Sequence, residues 1–186
     1  MITLTGKGVC GGVAFGKIQF YKRNGIQIER QSISDTEAEI KRFEAARGQA
    51  VAELALLYTT AAKEVGEENS LLFQIHQMML EDLDYCESIT NQIREEKVNA
   101  EFAVAQTAKN FAEMFSNMDD EYMRGRAADV NDVSQRVLGI LSGHAGKTVA
   151  SDTPVIIAAD DLAPSETIQL DLSLIHISEP TRRSYI

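Results

Sequence analysis

The residues with the greatest capacity for chemistry in this chain are its histidines and cysteines. There are 3 histidines and 2 cysteines, namely His76, His144, His176, Cys10 and Cys86. None of them has another histidine or cysteine at the spacing of a metal site, and the cysteines form no CxxC motif. No serine or cysteine lies in a nucleophile-elbow sequence either. These patterns predict free thiols in a reducing compartment, and no metal or cofactor held by this chain.

A glycine motif near the start resembles a nucleotide-binding loop. Gly6, Gly8 and Gly11 match the pattern G-x-G-x-x-G. In a dinucleotide site a helix follows this loop at once, and the amide end of the helix holds the pyrophosphate. Here the following residues, VAFGKIQF, alternate as a strand does, and no Gly-Lys-Ser/Thr closes a phosphate loop. The glycines are therefore interpreted as turn residues.

His76 lies in the stretch LLFQIHQMMLEDLDY at residues 71–85. On one helix it shares a face with Leu72 and Met79, so a core or boundary histidine is one interpretation. Methionines also provide adaptable contact area on binding surfaces, and acidic clusters flank the stretch. The acidic residues are Glu67, Glu68, Glu81, Asp82 and Asp84. An apolar strip rimmed by carboxylates suits a basic partner, and the residues alone leave both interpretations open.

The overall charge argues against one large class of partner. The formal net charge is -10 over 186 residues, whereas nucleic-acid binding needs clustered lysine and arginine. A basic protein partner, or simple solubility, fits this charge instead. The first residues, MITLTGKGVCGG, lack the apolar core of a signal peptide, and no apolar run reaches membrane-spanning length. The sequence therefore predicts a cytoplasmic protein without membrane insertion.

Hydrophobic periodicity divides the chain into consecutive regions. Residues 1–33 alternate as strands do, whereas residues 34–143 follow helical spacing. Residues 144–171 become extended again, with PVIIAA as a buried strand and Pro164 opening a short helix. Amphipathic helices joined by short links predict an antiparallel helical bundle. The order of strands, helices and strand predicts that this bundle is inserted into an α/β domain, because the two ends of a domain often lie close together.

The helical region contains specific start and stop signals. Ser34 and Glu37 form a capping box for the first helix, and Gly66 ends it. Asn99 is placed to cap a fourth helix, and Gly143 lies just beyond a fifth. The predicted core faces of these three helices are Ile40, Phe43, Ala50, Leu54, Leu57 and Ala61; Val104, Ala108, Phe111, Phe115 and Met118; and Val130, Val133, Val137 and Leu141.

Four segments resemble the enzyme I family of the bacterial phosphoenolpyruvate:sugar phosphotransferase system. They are GGVAFGK, GEENSLLFQIHQMMLED, DDEYMRGRAADVNDVSQRVLGILSG and VIIAADDLAPSETIQLD. The resemblance covers residues 1–171, in order and without large gaps. The RAADV and DLAPSET parts are the most specific to the family.

The resemblance implies a fold and a function. In the family, a swivelling phosphohistidine α/β domain carries a helical insertion that docks the histidine phosphocarrier protein HPr. Phosphoryl passes from phosphoenolpyruvate through a phosphohistidine to HPr in sugar uptake. A separate C-terminal barrel binds phosphoenolpyruvate and magnesium, and it forms the homodimer. The partner-binding residues carried over to this chain are Glu67, Glu68, Leu72, His76, Met79, Asp82, Leu83 and Arg126. His76 stands at a helical histidine of the family that is not the phosphorylated one.

This chain departs from the family pattern in places. Cys10, Gly11 and Gly12 replace a triplet such as Ser-Pro-Gly, and no Thr-Ser-His segment follows PSETIQL. Residues 172–186, LSLIHISEPTRRSYI, resemble the in-frame translation of a transposase adapter used in sequencing libraries, so we interpret them as an artefactual tail. We expect the chain to retain HPr docking but to carry no phosphoryl group, because the family's active-site histidine lies beyond it.

Two other functions remain open at this point. One is a stand-alone acidic helical adaptor that binds a basic protein partner. The other is a different phosphoenolpyruvate enzyme with a swivelling phosphohistidine domain, such as a dikinase. The helical segment that contains EENSLLFQIH argues against the dikinase.

Overall fold

This computed structural model describes residues 15–21, 28–64, 66–143, 155–159, 162 and 164–167. The chain divides into two compact units, residues 1–24 with 147–186 and residues 25–146. Predictions for the glycine turn, Cys10, His144, His176 and the tail at 172–186 lie outside the described residues.

The unit of residues 25–146 is built from helices. Their bounds are α1 Thr36–Glu64, α2 Glu67–Glu81, α3 Leu83–Glu96, α4 Ala100–Ser116 and α5 Glu121–Leu141. Helix α1 packs along α2 and α5, α4 packs along α5, and α3 packs against α4. The helical bundle predicted from the hydrophobic spacing is confirmed.

The start of α1 differs from the prediction by one residue. The side chain of Asp35 caps the helix, because its Oδ1 accepts a hydrogen bond of 2.9 Å from the amide of Ala38. Ser34 was expected to cap, with Glu37 reaching back to it. Glu37 instead accepts from Arg94 Nε at 3.2 Å, so its carboxylate links α1 to α3. Serine and aspartate are comparable caps, and spacing alone could not choose between these neighbours.

Asn99 stands at the predicted N-cap position of α4, but its side chain makes no capping bond. Its Oδ1 accepts instead from the amide of Gln31 at 2.9 Å, and the carboxylate of Glu39 accepts from the amide of Ala100 at 2.7 Å. Asn99 is therefore the N-cap residue of α4 by position, as predicted, but its side chain does not supply the capping bond. A short antiparallel pairing between Ser32 and Val98 joins the segment before α1 to the segment before α4. Glu39 on α1 thereby lies at the N-terminus of α4.

The core of the bundle is aliphatic, and most of it was predicted. All of the predicted α1 face is buried, as are Val104 and Ala108 on α4. The three valines predicted on α5 are buried too. The outer ends of these faces, namely Phe111, Phe115, Met118 and Leu141, are only half-buried. Gly143 lies just past α5 with a φ of 68°, in the left-handed region that glycine adopts at helix ends. Gly66 lies between α1 and α2 as the N-cap residue of α2, and its φ of 92° is also one that glycine adopts readily.

The described part of the other unit is a parallel strand pair and a short helix. Strand β1 is Lys17–Tyr21, and it pairs in parallel with β2, Val155–Ala159. Helix α6 is Pro164–Thr167, and Tyr21 donates a hydrogen bond of 2.7 Å to Glu166 within this unit. This pairing joins strands that lie on either side of the helices in sequence. The predicted insertion of the bundle into a larger α/β domain stays a prediction.

The expectation that β2 is a buried strand is wrong for this structure. Every residue of β2 is half-buried, and Ile18 and Phe20 of β1 are exposed. Parallel strands are buried when helices cover both faces of their sheet, and the described residues of this unit include only the short helix α6. Among the described helices of both units, none is long and apolar enough to cross a lipid bilayer.

Candidate functional site

Helices α2 and α3 meet at a sharp corner that presents acidic and apolar side chains. Asp82 has an extended backbone, with φ −62° and ψ 131°, which ends α2 and starts α3. Its Oδ1 accepts a hydrogen bond of 3.0 Å from the amide of Tyr85. Leu83, the next residue, is 74% exposed. Asp82 therefore has a structural task in addition to its predicted contact with a partner.

The structure places most of the predicted partner-binding residues along α2 and this corner. Glu67 and Glu68 are exposed in the first turn of α2, and Leu72 and Met79 are half-buried farther along it. Leu83 is the first residue of α3, so it lies on a different helix from Leu72 and Met79. Because the chain turns at Asp82, helical spacing across this point does not define one face.

His76 is buried at the centre of α2, with only 1% of its surface exposed. Its Nε2 lies 3.3 Å from Asp129 Oδ1, and its Nδ1 lies 3.8 Å from Asp132 Oδ2, both on α5. Its ring meets the ring of Phe73 edge to face, with 6.4 Å between centroids. The inclusion of His76 among residues that contact a partner is therefore corrected, since this ring lies beneath the surface of α2.

Arg126 lies on α5 next to this histidine. Its Nη1 donates to Asp129 Oδ2 at 3.0 Å, and its Nη2 donates to the hydroxyl of Tyr122. The guanidinium also lies over the Tyr122 ring, 4.5 Å from the centroid. The side chain of Arg126 is 16% exposed, so most of its surface is covered. Two of its five N–H donors are bonded in this arrangement.

Sequence reasoning missed several residues of this region. Met78 is 65% exposed, whereas Met79, the predicted partner-binding methionine, is half-buried. Leu71 and Tyr122 are exposed as well. The signal was present for Met78, since Leu71 and Met78 are seven positions apart and therefore lie on one helical stripe. Asp129, which joins the His76 and Arg126 side chains, carried no such signal.

Cys86 on α3 is another side chain of the bundle with a potentially reactive group. Cys86 is a free cysteine, as predicted, and burial raises the pKa of its thiol although Arg47 lies nearby. A thiol with a raised pKa stays protonated and weakly nucleophilic near neutral pH. Within the described ranges, no group of three or more histidine, cysteine, aspartate or glutamate side chains could hold a metal ion.

Comparison with known sequences identifies the family. The profile described as "PEP-utilising enzyme, N-terminal" matches residues 5–126, well over half of the chain. The chain belongs to this family of PEP-utilising enzymes. Among its relatives is the phosphoenolpyruvate-protein phosphotransferase of Bacillus subtilis, which is 37% identical over 94% of this chain and 31% of the relative. The relative of the same name from Geobacillus stearothermophilus is 39% identical over 91% of the chain and 29% of its own length. The chain thus spans only about 30% of the length of these relatives, 31% and 29% respectively.

Solved structures agree with the family in fold. A solution NMR structure of an Enzyme I protein aligns with a TM-score of 0.78 and 29% identity, over 93% of this chain and 71% of that one. The N-terminal domain of Enzyme 1 - Nitrogen aligns with a TM-score of 0.66 and 23% identity, over 88% and 68%. The second likeness concerns the fold alone. The predicted resemblance to enzyme I is confirmed.

Proposed function

We propose that this chain is the N-terminal part of a phosphoenolpyruvate-protein phosphotransferase and that its helical bundle docks the phosphocarrier HPr. The observation that carries the proposal is the corner between α2 and α3, where exposed carboxylates surround an exposed leucine. The family relation supports it, because 94% of this chain aligns with the Bacillus subtilis enzyme at 37% identity. The proposed partner-binding residues are Glu67, Glu68, Leu72, Met79, Asp82, Leu83 and Arg126.

The chemistry of this face suits a basic partner with an apolar centre. Glu67 and Glu68 begin α2, Asp82 ends it, and all of these carboxylates are exposed. Leu83, 74% exposed between acidic neighbours, can bury its side chain only in a complementary apolar surface. Apolar anchors surrounded by charged rims are typical of transient protein interfaces, where the charges increase the association rate and select the partner.

The phosphoryl chemistry belongs to the parent enzyme as a whole. In the proposal, phosphoenolpyruvate and magnesium bind to the part of the relatives that this chain does not span, and that part also forms the homodimer. A histidine outside this chain carries the phosphoryl group, because imidazole is both a good nucleophile near neutral pH and a good leaving group. The bundle contributes by holding HPr, and the site of action is the cytoplasm.

The docking proposal is tested with a matched pair of leucine substitutions. Leu83→Glu places a carboxylate in the centre of the proposed face, whereas Leu56→Glu makes the same change on α1, where the leucine is 68% exposed. Calorimetric titration with HPr is expected to show at least about tenfold weaker binding for Leu83→Glu, because an apolar anchor is lost and a charge is buried. Met79→Glu is expected to act in the same direction.

Leu56→Glu is the control for a general effect of the added charge. Leu56→Glu is expected to bind HPr as the unchanged protein does, and circular dichroism is expected to show the same helical content for both variants. Equal affinity of Leu83→Glu and the unchanged protein would place docking elsewhere on the bundle. If the unchanged protein bound no HPr at all, the proposal would be wrong and the stand-alone adaptor would become the better interpretation.

A further inference from the structure

We propose that the buried His76 is a positioning residue that fixes the Arg126 guanidinium through the carboxylate of Asp129. The proposal rests on the proposed function, because it takes Arg126 as part of the docking face. It assigns His76 a task other than direct contact, which its 1% exposure excludes.

The geometry of the Asp129 carboxylate carries the proposal. Its two oxygens point to different partners, with Oδ1 3.3 Å from His76 Nε2 and Oδ2 3.0 Å from Arg126 Nη1. A carboxylate is planar, so rotating it to improve one of these contacts disturbs the other. His76 on α2 thereby constrains the Arg126 side chain on α5 through the carboxylate that both contact.

The histidine itself has little freedom to move. Phe73 contacts the ring edge to face, and Asp132 Oδ2 lies 3.8 Å from Nδ1. Nδ1 has no hydrogen-bond partner, so the ring makes its one hydrogen bond through Nε2. For that bond Nε2 carries the proton and donates to Asp129, since a carboxylate only accepts. The anchor is therefore rigid and directional.

A second contact holds the other side of the guanidinium. Tyr122 accepts from Arg126 Nη2, and its ring lies 4.5 Å below the guanidinium carbon. Arginine otherwise loses considerable side-chain freedom on binding a partner, and a guanidinium that is already fixed avoids part of that cost. The partly exposed guanidinium is thus held in one orientation for an acceptor oxygen of HPr.

The test compares two substitutions of the same histidine in the full chain. His76→Leu removes the donor from a buried site, whereas His76→Gln keeps an N–H donor close to the position of Nε2. We expect His76→Leu and Arg126→Met each to weaken HPr binding about tenfold, which corresponds to 1.4 kcal/mol. His76→Gln is expected to restore most of the affinity, since it can still donate to Asp129.

A double-mutant cycle separates positioning from general stability. The variant with both His76→Leu and Arg126→Met is expected to bind no more weakly than Arg126→Met alone. Ser134→Ala is the control, because it removes a buried hydrogen bond between α3 and α5, the 2.8 Å contact with Tyr85, which does not involve Arg126. Any change that Ser134→Ala makes in the free energy of HPr binding is expected to add to the change made by Arg126→Met.

The arginine can also be observed directly. In the unchanged chain, NMR of the Arg126 side chain is expected to show slow guanidinium rotation and a ring-current shift from Tyr122. His76→Leu is expected to make the rotation faster and the ring-current shift smaller. If His76→Leu does not fold, Asp129→Asn, on a partly exposed residue, tests the same link and is expected to match Arg126→Met in affinity and mobility.

The possible results distinguish the two proposals. Weak binding by Arg126→Met with full affinity of His76→Leu, or of Asp129→Asn in its place, would overturn the positioning role and leave docking intact. Additive losses in the cycle would overturn it as well. Unchanged affinity of both Arg126→Met and Leu83→Glu would instead overturn the docking proposal.

Discussion

Tyr85 is the clearest case of a buried polar group with a measurable consequence. Its hydroxyl lies 2.8 Å from Ser134 Oγ, and its ring meets Phe111 edge to face with 5.7 Å between centroids. Burial raises the pKa of Tyr85 to about 12, and the bond to Ser134 opposes only part of that rise. The folded protein therefore resists ionisation of a group that ionises near pH 10 in an unfolded chain.

This difference predicts how stability depends on alkaline pH. Because the folded pKa is raised, the contribution of Tyr85 is fully present below pH ~10 and is lost as pH rises through about 12. Two pKa units correspond to roughly 3 kcal/mol. Tyr85→Phe is expected to cost about 1 kcal/mol at neutral pH through the lost hydrogen bond, and to reduce the fall in unfolding free energy between pH ~10 and ~12.

Urea unfolding over this pH range measures the effect. A slope unaltered by Tyr85→Phe would show that Tyr85 ionises equally well in the folded and unfolded states.

At the level of helices, the corner at Asp82 combines two roles that substitutions can separate. Asp82→Ala removes both the cap of α3 and the charge, whereas Asp82→Asn removes the charge alone, since asparagine caps a helix as well as aspartate does. We expect Asp82→Ala to lose about 0.5–2 kcal/mol of unfolding free energy and Asp82→Asn to lose only a few tenths. Both are expected to weaken HPr binding.

Thermal unfolding and titration with HPr, carried out on the same samples, check this prediction. The cap is assigned from the 3.0 Å bond to the Tyr85 amide, so equal stability of the two variants would contradict it. Full affinity of Asp82→Asn would show that the carboxylate serves the helix and not the partner.

For the molecule as a whole, the core is concentrated in the helical unit. Every buried apolar residue among those described lies between Ile40 and Leu138. In the other unit, Phe20 is 77% exposed and β2 is half-buried throughout. Local stability follows buried apolar contact, so the two units are expected to open with different free energies.

Hydrogen exchange is expected to reveal this difference residue by residue. The amides of β1 and β2 should exchange much faster than those in the buried turns of α1 and α4, because the side chains of these two strands are exposed or half-buried. Peptides covering residues 17–21 and 155–159 provide the comparison. Equal protection in both units would contradict the prediction and would indicate that the strands belong to a stable sheet.

The helices and most of their core could be predicted because they depend on neighbours in sequence. Residues such as Phe43, Leu54 and Val133 repeat at helical spacing, and this spacing determines which side of a helix is apolar. The glycines after α1 and α5 and the short helix at Pro164 follow from equally local preferences. The resemblance to the family added the docking residues, which periodicity alone did not distinguish from a solvated acidic face.

Contacts between distant segments could not be predicted in this way. The side chain of Asn99 bonds to the amide of Gln31, 68 residues earlier, and β1 pairs with β2, which follows the five helices of the bundle in the sequence. His76 shows the physical reason most clearly. Its position on α2 follows from local spacing, but its burial and its bond to Asp129 depend on where α5 packs, 53 residues along the chain. Helical spacing decides which side chains face inward, and only the packing of one helix on another decides what they meet there.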